Sequence, residues 1–341
     1  MRKSLLALLF LAASGVVHGA VGLKEGHPER YTVVKGDTLW GISGRFLNKP
    51  WQWPEIWQVN PQIDNPHLIY PGDVLSLVYI DGQPRIQLER GSSRGTVKLS
   101  PQVRATPIAE AIPTIPLEAI NAFLISNRIV DTPEAFEQAP YVVAGNAERV
   151  ISGKGDRVYA RGDFSDAQSV YGLFRQGKAY RDPKTDEFLG INADDIGTAS
   201  MVTDEDDIAT LTLSRSTQEV RPGDRLFATE ERSINSTFLP SEPSEPIDGL
   251  ILDVPRGVSQ IGQFDVVTLN KGKRDGLVEG SVLAVYKTGE TVRDRVTGDR
   301  VKIPDERSGL LMVFRTYDKL SYGLVLAASR QLAVMDKVRN P

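Results

Sequence analysis

Carboxylates are the side chains best supplied for chemistry in this chain. Asp194-Asp195, Asp204-Glu205-Asp206-Asp207 and Glu230-Glu231 each set acids side by side. One or two well-placed acids suffice for a glycosidase or a lytic transglycosylase. Flanked by runs of β-branched and aliphatic residues, the same clusters also read as solvated loops between strands. Asp204–Asp207 lacks the spacing of a helix–loop–helix calcium site. Other chemistries are thinly provided. There is no cysteine, which excludes a thiol nucleophile, disulfides and a lipid-modified N-terminal cysteine. The histidines are His18, His27 and His67, too few for a zinc hydrolase built from several His and acidic ligands. No catalytic residue, metal or cofactor is assigned on this basis, and the expectation is a protein that is not an enzyme. The net charge of −4, with basic residues scattered among acidic ones, carries no cationic stripe for nucleic acid.

Aromatic chemistry is concentrated instead. Trp40, Trp51, Trp53 and Trp57 account for all four tryptophans. Indole faces stack on sugar rings, and they also fill small cores. Trp40 and Trp57 fall at helical positions and are expected inside. Trp51 and Trp53 stand evenly between a packed flap and an aromatic platform for a glycan. The elements that position them are legible around Tyr31–Val78. An extended YTVVK run meets Gly36-Asp37-Thr38. Leu39, Ile42 and Phe46 then recur at helical spacing, with Asp37 or Thr38 as the N-cap. Pro54 suits the first turn of a second helix, which also carries Ile56 and Val59, and Asn60-Pro61 ends it. Pro71-Gly72 has the type II turn preference before a last strand, where Leu75 faces Val33.

This order resembles a LysM domain, a small βααβ module that binds N-acetylglucosamine-containing glycans, in bacteria mainly peptidoglycan. The resemblance implies a shallow groove between two loops, Gly36-Asp37-Thr38-Leu39 and Pro61-Gln62-Ile63-Asp64. There backbone groups pair with the acetamide, and Leu39 and Ile63 meet its methyl and the ring face.

The rest of the chain sets the address and the architecture. Residues 1–19 carry Arg2 and Lys3, an uncharged apolar stretch and small residues at the cleavage positions, the layout of a secretory signal peptide. No later segment is apolar enough to span a bilayer, so the mature chain is expected to be exported and free of transmembrane segments. Residues 30–79 form the LysM-like unit and 80–95 a linker. An intermediate region, 96–140, contains a helix expected over Leu117–Ile129. Tyr171–Leu226 then aligns without gaps on Leu283–Val338. Gly177 falls on Gly289, Gly197 on Gly309, Asp206 on Asp318 and Asp224 on Asp336. Two copies of one β-rich module follow, 141–228 and 249–339, each a sandwich or partly closed barrel. A Pro- and acid-rich linker, 229–248, joins them. The fold class expected is α+β, a small βααβ domain followed by a mainly-β region.

Signal peptide, LysM domain and two β modules in this order resemble the type IV pilus secretin-associated proteins (the TsaP family). Their C-terminal part is similar to a domain of a flagellar-ring protein. The resemblance implies a periplasmic adaptor associated with the cell wall and the outer membrane. Its partners would be peptidoglycan, the outer-membrane secretin and, in a ring, further copies of itself. The rival reading is a peptidoglycan-remodelling enzyme or its wall-targeted regulator.

Overall fold

The computed structural model describes residues 21–57, 69–89, 113–116, 120, 127–146, 151–164, 169–228, 238–255 and 260–341. The N-terminal domain comprises β1 (Arg30–Thr32), α1 (Leu39–Phe46), a 3-10 turn at Pro50–Gln52, α2 (Trp53–Trp57), β2 (Val74–Ile80) and β3 (Gln83–Glu89). β1 and β2 are antiparallel, with Tyr31 opposite Leu75. Val33, Leu39, Ile42, Phe46, Trp53, Ile56 and Leu75 form one buried cluster, and Leu39, Ile42 and Phe46 within it are the apolar stripe expected from their spacing. The linker expected from residue 80 begins as something else. Asp81 and Gly82 are both left-handed, the conformation of a two-residue hairpin turn, and β3 returns along β2 from Ile80↔Gln83 to Val74↔Glu89.

The remaining chain is mainly β. β4 (Asn127–Val130) and α3 (Pro133–Gln138) precede the first module. The helix expected over Leu117–Ile129 is therefore corrected at its end. Residues 127–129 are strand and pair with β8 (Phe188–Glu205), Ile129 opposite Asn192.

The two modules share one topology. In the first, β5 (Tyr141–Gly145), β6 (Arg157–Arg161), β9 (Ile208–Ser216), β8, β7 (Val170–Arg181) and β10 (Arg225–Ala228) pair in that order, and β10 returns to β5. In the second, β11 (Asp248–Asp253), β12 (Val266–Leu269), β17 (Ser321–Ala328), β16 (Glu306–Thr316), β13 (Val282–Lys287) and β18 (Lys337–Arg339) form a closed barrel. A hairpin of β14 (Thr291–Arg293) and β15 (Arg300–Lys302) projects between β13 and β16.

The turns repeat with the strands. The Asp156 carboxylate accepts from the Gly153 amide and that of Asp265 from the Gly262 amide. Asp224 accepts from the Arg221 amide and Asp336 from the Ala333 amide. The aligned glycines have a common cause, close backbone approach. A Cβ on Gly197 would run into the carbonyl oxygen of Arg215, and one on Gly309 into that of Ala327.

The copies diverge on their outer faces. The second barrel is apolar inside (Ile251, Val267, Leu283, Val313, Val325) and also outside, at Leu252, Val266, Met312, Phe314, Tyr322 and Leu324. Strands buried on both faces read as continuous apolar runs, as in Leu310–Phe314. The outer face is covered by Ile129 of β4, Tyr180 and Leu189 of the β7–β8 hairpin, Phe238, Ile115, Ile120, and Trp40 and Trp51 of the N-terminal domain. Ser200, Thr210 and Thr212 of the first barrel align with Met312, Tyr322 and Leu324. The second barrel is thus the hub on which the other parts dock.

Polar contacts also join the β7–β8 hairpin to the second barrel. Asn270 donates to Asp182 at 2.7 Å, Lys184 meets Asp248 at 3.0 Å, and Tyr180 donates to Asp253 at 3.0 Å. Glu187 receives both Arg274 guanidinium nitrogens, at 2.7 and 2.8 Å, and Lys319 at 3.1 Å. Hydrogen bonds from Arg274 and then Lys319 hold the Glu187 carboxyl down at about 2, from 4.5. A depressed carboxylate contributes stability above its unfolded value and loses it as pH falls through the folded one. The melting temperature of the wild type should therefore fall more steeply between pH 4.5 and about 2 than that of Glu187→Gln. Parallel curves would contradict the pairing.

Candidate glycan-binding site

The site is built where β1 turns into α1. Gly36 is left-handed, with φ +95°, and nothing lies within 4 Å of where its Cβ would be. The requirement there is conformational rather than steric. Asp37 is a turn-builder: its carboxylate accepts from the Val34 amide and the Tyr31 hydroxyl, both at 2.9 Å. Burial, and then the bond to Asp37, raises the Tyr31 hydroxyl above its usual range. Of the two cap candidates, Thr38 serves, its Oγ1 accepting from the Gly41 amide at 3.0 Å.

A helix start leaves its first amides without intrahelical acceptors. Gly41 is satisfied by Thr38. The amides of Leu39 and Trp40 each donate at 3.0 Å, to the carbonyls of Pro113 and Thr114. The Leu39 side chain is only 2% exposed and belongs to the domain core. The residue therefore offers this surface its amide, not the apolar contact expected of it. Pro61, Gln62, Ile63 and Asp64, the second wall of the expected groove, lie outside the described residues, as does His67.

The aromatic-platform expectation meets two buried rings. Trp53 packs in the domain core beside Phe46 and Ile56. Trp51 is 3% exposed and sits against the hub, its Nε1 donating to Glu242 at 2.9 Å. Trp40 is buried as expected, but against the hub rather than in its own domain core. Pro113 and Thr114 escaped the sequence reading because nothing local links them to α1. The one signal was the proline spacing of Pro113-Thr114-Ile115-Pro116.

The acid clusters are corrected as well. Asp194, Asp195, Asp204 and Glu205 lie within β8, and only Asp206-Asp207 form the turn to β9. Asp195 is buried and held bidentately by Arg215. Asp207 pairs with Arg161 at 2.7 Å. Asp194 has its carboxyl raised by burial, partly offset by Arg175. Glu230-Glu231 lie outside the described residues.

Residues 31–78 match the LysM domain family, a carbohydrate-binding module of peptidoglycan and related glycans, typically carried by extracytoplasmic proteins. The chain is also similar to the uncharacterized protein YqbP of Bacillus subtilis (strain 168), 40% identical over 60 residues. The match covers 15% of this chain and 27% of YqbP. Among the described residues, no helix is long and apolar enough to cross a membrane.

Proposed function

We propose that the chain is a non-catalytic adaptor that grips peptidoglycan through its LysM domain and envelope machinery through its barrels. The observation that carries the first half is the start of α1 within the LysM match. There Gly36 and Thr38 shape a helix start whose two adjacent backbone donors, on Leu39 and Trp40, lie outside the helix's own hydrogen bonding and are taken in this structure by the carbonyls of Pro113 and Thr114. The acetamide of N-acetylglucosamine supplies a carbonyl for them, and Pro61-Gln62-Ile63-Asp64, outside the described residues, complete the proposed glycan-binding set. A shallow groove buries little area, so single-site affinity is modest, and many copies in one assembly raise it.

The second half rests on the likeness to the type IV pilus secretin-associated proteins. In this reading, residues 1–19 direct export to the periplasm, the partner is the outer-membrane secretin, and copies associate in a ring. The β14–β15 hairpin supports a role in contact. Its counterpart, the β7–β8 hairpin, docks on the second barrel, whereas β14 and β15 are exposed throughout and Val296 at their turn is 94% exposed.

Mature protein incubated with insoluble sacculi is expected in the pellet and to be released by chitin oligosaccharides. Recovery in the supernatant would overturn the wall-binding reading. Soluble muropeptides at catalytic protein levels would make the protein an enzyme. Capture of the full chain from detergent-solubilised envelopes without a secretin would remove the pilus assignment and leave wall binding standing.

A further inference from the structure

We propose that the segment Pro113–Pro116 is an internal competitor of the glycan, a strap that occupies the LysM donors until it is displaced. This rests on the glycan-binding reading above and adds its regulation.

The chemistry of the two partners is complementary. Pro113 and Pro116 have no N–H and a φ fixed by their rings, and the chain bends at Thr114 and Ile115 between them. The strap thus presents acceptors where the helix start presents only donors. Two carbonyls, Pro113 and Thr114, take two consecutive amides, Leu39 and Trp40, each at 3.0 Å. Those amides are the groups assigned to the acetamide carbonyl, so strap and sugar exclude one another. Ile115 fixes the strap. It is buried in the cluster that also holds Trp40, Trp51 and the outer face of the second barrel. The docked strap thus closes the first loop and, through one side chain, ties that closure to the seating of the LysM domain on the hub.

Because the strap belongs to the same chain, its occupancy sets the apparent affinity. If nine molecules in ten are strapped, glycan binding is weakened by roughly tenfold. A partner that pulls the strap or the LysM domain off the hub would raise wall affinity by the same factor.

Full-length protein is compared with Thr114→Gly/Ile115→Gly and, separately, Ile115→Asp. Each is titrated with a chitin pentamer by calorimetry, and amide hydrogen exchange is followed at Leu39 and Trp40. Exchange at β12 and β17 checks that the hub remains folded. The expected result is a dissociation constant lower by roughly tenfold in both variants, with faster exchange at the two amides. Unchanged affinity in variants whose two amides have been released overturns the competition. Amides that stay protected overturn the strap. Should wild type and variants all fail to bind the pentamer, the glycan reading falls and the competition with it.

Discussion

Replacing Trp51 by alanine is expected to lower unfolding stability by about 3–5 kcal/mol and to loosen the LysM domain from the second barrel. The ring is among the largest surfaces the N-terminal domain contributes to the hub, and it is buried there with Trp40 and Ile115. The 3-10 turn Pro50–Gln52 holds it in place. Its Nε1 donates to Glu242, which Lys49 also meets at 3.3 Å. Truncation leaves a cavity between parts that cannot collapse onto one another without moving a whole domain. Water and Lys49 can satisfy Glu242, so the loss is one of packing. Urea unfolding of the full chain measures it. A change below about 1 kcal/mol, in the range of surface substitutions, would show that the ring does not hold the domains together.

The second large effect is expected inside the first barrel. The Asp195 carboxylate is 2% exposed and receives both terminal nitrogens of Arg215 at 2.7 Å. Arg215→Ala leaves a buried charge unpaired, which costs about 3–5 kcal/mol. The lower end applies because the arginine itself is about one-third exposed. The double variant Asp195→Val with Arg215→Leu is expected to recover most of the loss, since an apolar pair needs no compensating charge. The second copy already runs without the pair, with Arg307 and Ala327 at the aligned positions. Chemical unfolding of both variants decides the matter, and an Arg215→Ala protein as stable as wild type would contradict it.

What was legible in the sequence divides along physical lines. Contacts within one element or between neighbouring turns were readable. The Leu39, Ile42, Phe46 stripe formed the helix face, whereas the third strand that follows the Asp81-Gly82 turn lay in what read as a linker. The duplication was readable because backbone approach at Gly197 and Gly309, and carboxylate turns at Asp224 and Asp336, recur at matched positions. Docking was not readable. A run such as Leu310–Phe314 says that both faces of a strand are covered. It does not say that Trp40, Trp51 and Ile115 do the covering. Asp195 looked like part of a solvated acid loop because its partner, Arg215, becomes its neighbour only when β8 and β9 pair. The backbone groups of the Gly36-Asp37-Thr38-Leu39 loop were expected to pair with an acetamide, but the amides of Leu39 and of the following Trp40 are already taken. They meet the chain's own carbonyls because Pro113-Thr114 reaches them from outside the domain.

The central claim is that the turn leading into α1 takes an acetylated amino sugar. The most direct measurement is a titration of the full chain with chitin oligosaccharides, following the backbone amide resonances of Gly36 through Trp40. Progressive, saturable movement of these signals is the expected result. Signals that stay fixed at saturating sugar, in the wild type and in the strap-loosened variants alike, would contradict it.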